Sequence, residues 1–426
     1  MSSFTVLPAE GGLRGRLRVP GDKSISHRAL LLSALAAGPS RISGLSDGAD
    51  VVATRRAVEA FGARVTADAS DLIVEGGDRH EPDTVIDVGN SGTGIRLMAG
   101  WAATLDGLAI LTGDRSIARR PMGRVVAPLQ LMGARIDGRA GATLPPLVVR
   151  GGHLRGIDYE LPVPSAQVKG AVLLAGVGAA GPTTVREKLP TRAHTEQMLA
   201  ACGIRVESDG AGAVTVHPGQ VQPVDWAVPG DPSQAAFWVV AACLVPGSDL
   251  TVERVYVGPH RAGFLDVLRR MGADVELVDP DPATTVADIR ARTSSLTATE
   301  VGGAEIPGLI DEIPALAVAA SAAAGTTVFR DAAELRVKES DRIESMVAAL
   351  SAVGVHVEGR PDGLEVRGSN RPLTGGQVDS MGDHRVAMSL AVAGLTGTAP
   401  VRINGWESVA TSYPRFEEDM HRCQTP

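Results

Sequence analysis

AVEAFGARV, residues 57–65, is a helical phrase that runs into a glycine and then into a β-branched stretch. It recurs as LQLMGARI (129–136), QMLAACGIRV (197–206), VLRRMGADV (267–275) and ALSAVGVHV (349–357). The glycines of the five phrases, Gly62, Gly133, Gly203, Gly272 and Gly354, are 71, 70, 69 and 82 residues apart. A helix often ends on a left-handed residue, which glycine adopts without strain, and the alternation beyond it predicts a strand. The unit is therefore helix, glycine cap, strand, with further short strands filling the interval. Common solenoid repeats run roughly 20–50 residues. The longer period predicts about six α/β units, the sixth incomplete near RFEEDMHRC (415–423).

Six units divide into two groups of three, each able to close around its own core. The strand missing from the last unit can come from FTVLPA (4–9), which makes one domain discontinuous. The expected division is residues 1–20 plus 231–426 for one domain and 21–230 for the inserted one, with the active site in the cleft between them. The same turn phrase, VPGD, stands at both crossings (19–22 and 228–231).

The remaining bulk properties narrow the function. A chain of 426 residues has room for two cores. Its net charge of −8 and 3% aromatic content argue against a nucleic-acid surface, which needs clustered positive charge and stacking platforms. Cys202, Cys243 and Cys423 lie far apart without metal-type spacing, as in a protein of a reducing compartment. No apolar run approaches the roughly 18 residues of a transmembrane helix, and Ala-rich stretches such as 318–324 read as buried helices. The expectation is a cytoplasmic monomer that binds neither membrane nor nucleic acid.

Against that acidic background, cations gather where apolar helices begin. VPGDKSISHRALLLSALAAG (19–38) puts Lys23, Ser24 and Arg28 at a helix mouth, where free N–H groups and the dipole favour an anion. DVGNSGTGIRL (87–97) is a glycine turn with Asn90, Gly92, Thr93 and Arg96. GDRSIARRPMGRV (113–125) carries Arg115, Arg119, Arg120 and Arg124. VPSAQVKGAVLLAG (163–176) repeats the design with Ser165, Gln167 and Lys169, and LPTRAHTEQML (189–199) sets Arg192 before another helix. Taken singly, each is an ordinary cap or solvated face. Their recurrence points to a multiply anionic ligand.

The second half adds carboxylates. GLIDEIPALAVAA (308–320) places Asp311 and Glu312 at the start of an apolar helix. AELRVKESDRIESM (333–346) offers Lys338, Glu339 and Arg342, with Lys338 and Arg342 expected on one helical face. MGDHRVAMSLAVAG (381–394) adds Asp383, His384 and Arg385. Cations and glycine turns from both halves, with carboxylates mainly from the second, suit a small anionic substrate pair and proton transfer by Asp or Glu. Nothing has convincing metal-ligand spacing, and no nucleotide fingerprint is present.

In order, PGDKSISHRAL, GNSGTG, RRPMGR, SAQVKGAVLLAG, HTEQML, ELRVKESDRIE and GDHRVAMS span nearly the whole chain. Together they resemble the 5-enolpyruvylshikimate-3-phosphate synthase family. The resemblance implies a two-domain enolpyruvyl-transferase fold, an inside-out α/β barrel of six βαβαββ units, three per domain. It implies transfer of the enolpyruvyl group of phosphoenolpyruvate to the 5-hydroxyl of shikimate 3-phosphate, with release of phosphate and no cofactor or metal.

By the same resemblance, Lys23, Ser24, Arg28, Ser165, Ala166, Gln167, Arg192, Asp311 and Lys338 hold shikimate 3-phosphate. Lys23, Asn90, Gly92, Arg120, Gln167, Arg342, His384 and Arg385 hold phosphoenolpyruvate. Asp311 takes the proton of the attacking hydroxyl, Glu339 handles the proton at the methylene carbon and Lys23 stabilises developing charge. Two positions set this chain apart from other members. Thr411 stands where many have a lysine that reaches phosphoenolpyruvate, and Gly92 is kept where tolerant relatives carry alanine, which implies sensitivity to glyphosate.

Two alternatives follow. A transferase acting on UDP-N-acetylglucosamine usually relies on a loop cysteine, and residues 113–124 contain none. A catalytically silent anion-binding scaffold would gain nothing from keeping both Asp311 and Glu339 beside its cations.

Overall fold

The computed structural model describes residues 2–77, 79–369 and 372–424. The chain forms two compact units, one made of Met1–Pro20 with Pro229–Pro426 and the other of Gly21–Val228. Each has its own apolar core.

The five repeat glycines have φ of 106°, 108°, 78°, 94° and 89° in chain order, a region closed to most side chains. Each stands just past a helix: Ala49–Ala60, Gly123–Leu131, His194–Ala201, Gly263–Arg270 and Arg342–Ala352. A strand follows each one, namely Arg64–Asp68, Arg135–Gly138, Val206–Ser208, Asp274–Asp281 and His356–Arg360. The expected sixth helix is Phe416–Gln424.

A second set of helices carries the core. Lys23–Leu35, Gly92–Ala102 and Ala166–Gly176 run through the Gly21–Val228 unit. Pro232–Leu244, Ile313–Ala322 and His384–Leu395 do so in the other. They are apolar nearly all round, so only burial on every side satisfies them. Gly100 shows how closely they pack: a β-carbon there would lie 2.0 Å from the carbonyl oxygen of Ala171 on the neighbouring helix.

Around these helices the described residues form five four-stranded sheets and one three-stranded sheet. One pairing scheme serves throughout. Trp226–Ala227 is parallel to Pro39–Ser43, which is antiparallel to Asp71–Glu75, which is antiparallel to Arg64–Asp68. In the three-stranded sheet Gly376–Asp379 lies parallel to Val401–Asn404, and the N-terminal strand Ser3–Val6 pairs antiparallel with the latter, Ser3 opposite Asn404. Arg14–Leu17 likewise joins the sheet of Asp249–Tyr256. Both N-terminal strands thus belong to the unit built from the second half.

Candidate active site

In the Gly21–Val228 unit, three buried helices begin beside the predicted cations. Asp22, fully buried, caps the first by accepting from the Ile25 N–H at 2.9 Å, so the helix opens at Lys23. Lys23 Nζ lies 2.8 Å from Asp50 Oδ2, a buried carboxylate in the first turn of the next helix. One turn on, Arg28 donates to the Ser24 carbonyl at 2.9 Å and to Thr195 Oγ1 at 2.7 Å. Burial pushes its pKa down to about 10, with Glu196 and Asp22 opposing the shift and Arg192 adding to it.

His27 links the first helix to its neighbours, with Nδ1 2.7 Å from Thr54 Oγ1 and Nε2 3.3 Å from Ser91 Oγ. Burial, together with the charges of Lys23 and Arg28, holds its pKa well below the ordinary value, so the ring is neutral. Ser91 in turn caps the second helix through the Gly94 N–H. Asn90 donates to Asp114 at 2.7 Å.

Gly92 is where the arginine-rich loop arrives. A β-carbon on Gly92 would lie 2.0 Å from Arg120 Nη1. Arg120 is buried, whereas Arg115 and Arg119 are exposed and Arg124 is half-buried, so only one of the four packs fully inside. Arg96 donates to Gln167 Oε1 at 2.8 Å, and the Gln167 amide donates to Thr93 Oγ1 at 2.9 Å. That pair ties the glycine turn to the third helix, where Ser165 is the cap and Ala166 the first residue.

Lys169 departs from its expected place among the anion-facing cations. It is buried inside the third helix, with Nζ 2.7 Å from both Glu187 and Glu196. Its charge is taken up within the protein by these two carboxylates.

In the other unit the carboxylates and cations form one connected group. Asp311 Oδ1 lies 3.1 Å from Lys338 Nζ and 3.2 Å from Arg342 Nη1. Arg342 Nη2 is 2.5 Å from Glu339 Oε2, and its Nε is 2.8 Å from Asp383 Oδ2. Asp383 also caps the third buried helix by accepting from the Arg385 N–H, which places His384 and Arg385 in that helix's first turn. Arg385 Nη1 donates to the Asp311 carbonyl at 3.1 Å.

Burial opposes charge on Arg342, yet Asp383, Glu339 and Asp311 more than compensate and raise its pKa. Lys338 goes the other way, since burial lowers its pKa and the attraction of Asp311 only partly offsets that. The expectation that Lys338 and Arg342 share a helical face is overturned. Ala333–Val337 is a short 3-10 turn, and Asp341 caps a new helix by accepting from the Ile343 and Glu344 N–H groups, so Arg342 is its first residue. The two cations meet through Asp311 instead. Thr411 closes the short 3-10 helix Trp406–Thr411.

Asp50 and Thr195 are partners that residue spacing alone did not single out for the site. Their separation along the chain hides them, whereas Asp383 was already singled out where its apolar helix opens. Among the described residues no group of His, Cys, Asp and Glu could hold a metal ion, and no helix is long and apolar enough to cross a membrane. All three cysteines are buried, and burial pushes their thiols up to about 11 for Cys202 and Cys423 and about 12 for Cys243.

Comparison with known proteins narrows the class. The enolpyruvyl transferase NikO of Streptomyces tendae superposes with a TM-score of 0.80 over 99% of this chain and 97% of its own, at 18% identity, so the two share an α/β fold. EPSP synthase of Acinetobacter baumannii superposes at 0.87 with 38% identity, over 99% of this chain and 98% of its own. Among curated relatives, the 3-phosphoshikimate 1-carboxyvinyltransferase of Gloeobacter violaceus is 50% identical over 429 residues, 99% of each chain. That of Citrifermentans bemidjiense is 47% identical over 421 residues, 98% of each. The model of the EPSP synthase (3-phosphoshikimate 1-carboxyvinyltransferase) family matches residues 8–420, and the chain belongs to that family of enzymes.

Proposed function

We propose that the protein transfers the enolpyruvyl group of phosphoenolpyruvate to the 5-hydroxyl of shikimate 3-phosphate. The observation that carries the reading is Asp311, a carboxylate held by Lys338 and Arg342 with Glu339 on the same guanidinium. A pure anion-binding site has no use for two carboxylates among its cations. A proton-transfer site needs them.

In this reading Asp311 removes the proton of the 5-hydroxyl as its oxygen attacks C2 of phosphoenolpyruvate, while Glu339 delivers a proton to the methylene carbon. The product is a tetrahedral phosphorylated intermediate. Return of a methyl proton to a base and departure of phosphate restore the double bond as an enol ether. Lys23, Arg120, Arg342 and Arg385 meet the charge of phosphoenolpyruvate, with Asn90, Gly92, Gln167 and His384 shaping its place. Ser24, Arg28, Ser165, Ala166, Gln167, Arg192 and Lys338 hold shikimate 3-phosphate. Fixed cations stabilise moving negative charge without reorganising at the moment of reaction.

The six sheets with their buried helices support reading each unit as an inside-out barrel of three βαβαββ repeats. We read the chain as a cytoplasmic monomer, which sedimentation velocity tests. The buried, unactivated thiols disfavour the acceptor UDP-N-acetylglucosamine. Phosphate release decides the function: release with shikimate 3-phosphate, and its loss in Lys23→Ala and Asp311→Asn, is expected. Release with UDP-N-acetylglucosamine alone would overturn the reading.

A further inference from the structure

Behind Asp311 lies a second layer of buried charge. Arg261, 1% exposed, sits between the Asp249–Tyr256 strand and the Gly263–Arg270 helix. Its guanidinium donates to Asp231 Oδ1 at 2.6 Å, to Ser233 Oγ at 2.8 Å and to Glu312 Oε1 at 3.1 Å. The Ser233 hydroxyl donates to the same Glu312 oxygen. Glu312 is as buried as Arg261 and is the chain neighbour of Asp311.

Glu312 stands at the N-cap of the Ile313–Ala322 helix yet makes no capping hydrogen bond with its side chain. Its Oε1 lies 3.9 Å from Arg385 Nη1, the nitrogen that donates to the Asp311 carbonyl. Its Oε2 is buried without a hydrogen-bond partner among the described residues. Burying two carboxylates around one guanidinium is costly unless the geometry is good, and helix capping does not require it. The Gly92 helix begins on the single hydroxyl of Ser91.

We propose that Arg261 and Glu312 are positioning residues for the reaction: they clamp the Asp311–Glu312 peptide so that the Asp311 carboxylate faces Lys338 and Arg342, and they hold Arg385 against that same peptide. The inference deepens the proposed function and rests on it. The clamp depends on a fork that reaches several acceptors at once, which a lysine point charge cannot do. It also depends on charge, because Asp231 and Glu312 exceed Arg261 by one negative charge, and that excess faces Arg385.

The test is steady-state phosphate release by the full chain carrying Arg261→Lys, Arg261→Gln, Glu312→Gln or Ser233→Ala, normalised to the folded fraction from thermal melts. Arg261→Gln and Glu312→Gln are expected to lower kcat by about 10- to 100-fold while KM for shikimate 3-phosphate stays within about twofold. Arg261→Lys is expected to recover part of the loss. A purely structural network would lower the melting temperature and leave kcat of the folded molecules unchanged, which would overturn the proposal. Should the charged variants fail to fold, Ser233→Ala, which removes one hydroxyl, carries the test, and an unchanged kcat there overturns it too. A wild-type chain silent with shikimate 3-phosphate would overturn the parent reading along with this one; active wild type with indifferent variants overturns this one alone.

Discussion

Both units enter their first buried helix through Val-Pro-Gly-Asp, and both aspartates cap: Asp22 takes the Ile25 N–H and Asp231 the Ser233 N–H. Beyond the cap they part. Lys23 follows Asp22, and that unit goes on to present Arg28, Arg120 and Arg192 near its helix starts. Pro232 follows Asp231, and that unit collects Asp311, Glu339 and Asp383 around Arg342. Each also hides an ion network behind its helices, Lys169 between two glutamates in one and Arg261 among Asp231, Ser233 and Glu312 in the other. A scaffold repeated twice therefore supplies helix entrances, while side chains decide whether cations or carboxylates gather there, and the proposed function assigns anion holding to the first set and proton transfer to the second.

The sharpest way to break this division is to compare Asp311→Asn with Arg28→Gln. Asp311→Asn is expected to lower kcat by about 10²- to 10⁴-fold, the usual weight of a general base. Arg28→Gln is expected to act mainly on KM for shikimate 3-phosphate. Equal losses of kcat in both would mean that holding and proton transfer are not separated as described.

The buried networks offer the next comparison. Lys169→Met leaves Glu187 and Glu196 buried without their shared cation, and an uncompensated buried charge costs about 3–5 kcal/mol. Urea unfolding should show that loss, and converting both glutamates to glutamine in the same chain should return most of it. No recovery would show that Lys169 contributes packing rather than charge.

Gly92→Ala is a smaller probe of the Gly21–Val228 unit. The added methyl must displace Arg120, so KM for phosphoenolpyruvate should rise about tenfold, equivalent to about 1.4 kcal/mol, and inhibition by glyphosate should weaken in step. A change in KM for shikimate 3-phosphate of the same size would place Arg120 on the other substrate.

The last comparison concerns pH. His27 stays neutral when folded but takes up a proton near its ordinary pKa of 6.5 once unfolded, so the unfolded state binds more protons below that pH. Stability should fall as pH drops from about 6.5 toward 5, with His27 contributing at most about 1.4 kcal/mol per pH unit. His27→Gln should flatten that slope in pH-dependent melts, and an unchanged slope would place the ring in a hydrated, protonated state.

The comparison also explains what residue order can and cannot reveal. The glycine phrases announced the helix–strand unit because a left-handed helix end is a local demand, met within a few residues. The incomplete last unit hinted at Ser3–Val6 as its strand for the same reason. Pairing between distant side chains leaves no such local trace: Arg28 finds Thr195 and Lys23 finds Asp50 only after folding. A charge run says little about burial either, as Arg120 among its exposed neighbours shows. The Lys338–Arg342 spacing misled because four residues apart imply a shared face only when one helix holds both, and Asp341 starts a new one between them.

The strand Ser3–Val6 has a consequence in time. The Gly21–Val228 unit is contiguous and can close while the ribosome is still adding the rest, whereas Ser3–Val6 must wait for Val401–Asn404. At roughly 5–20 residues per second that wait is on the order of 20–80 s. Throughout it, Ser3–Val6 lacks the strand it pairs with in the folded unit, and an unpaired strand is a template for pairing with another chain.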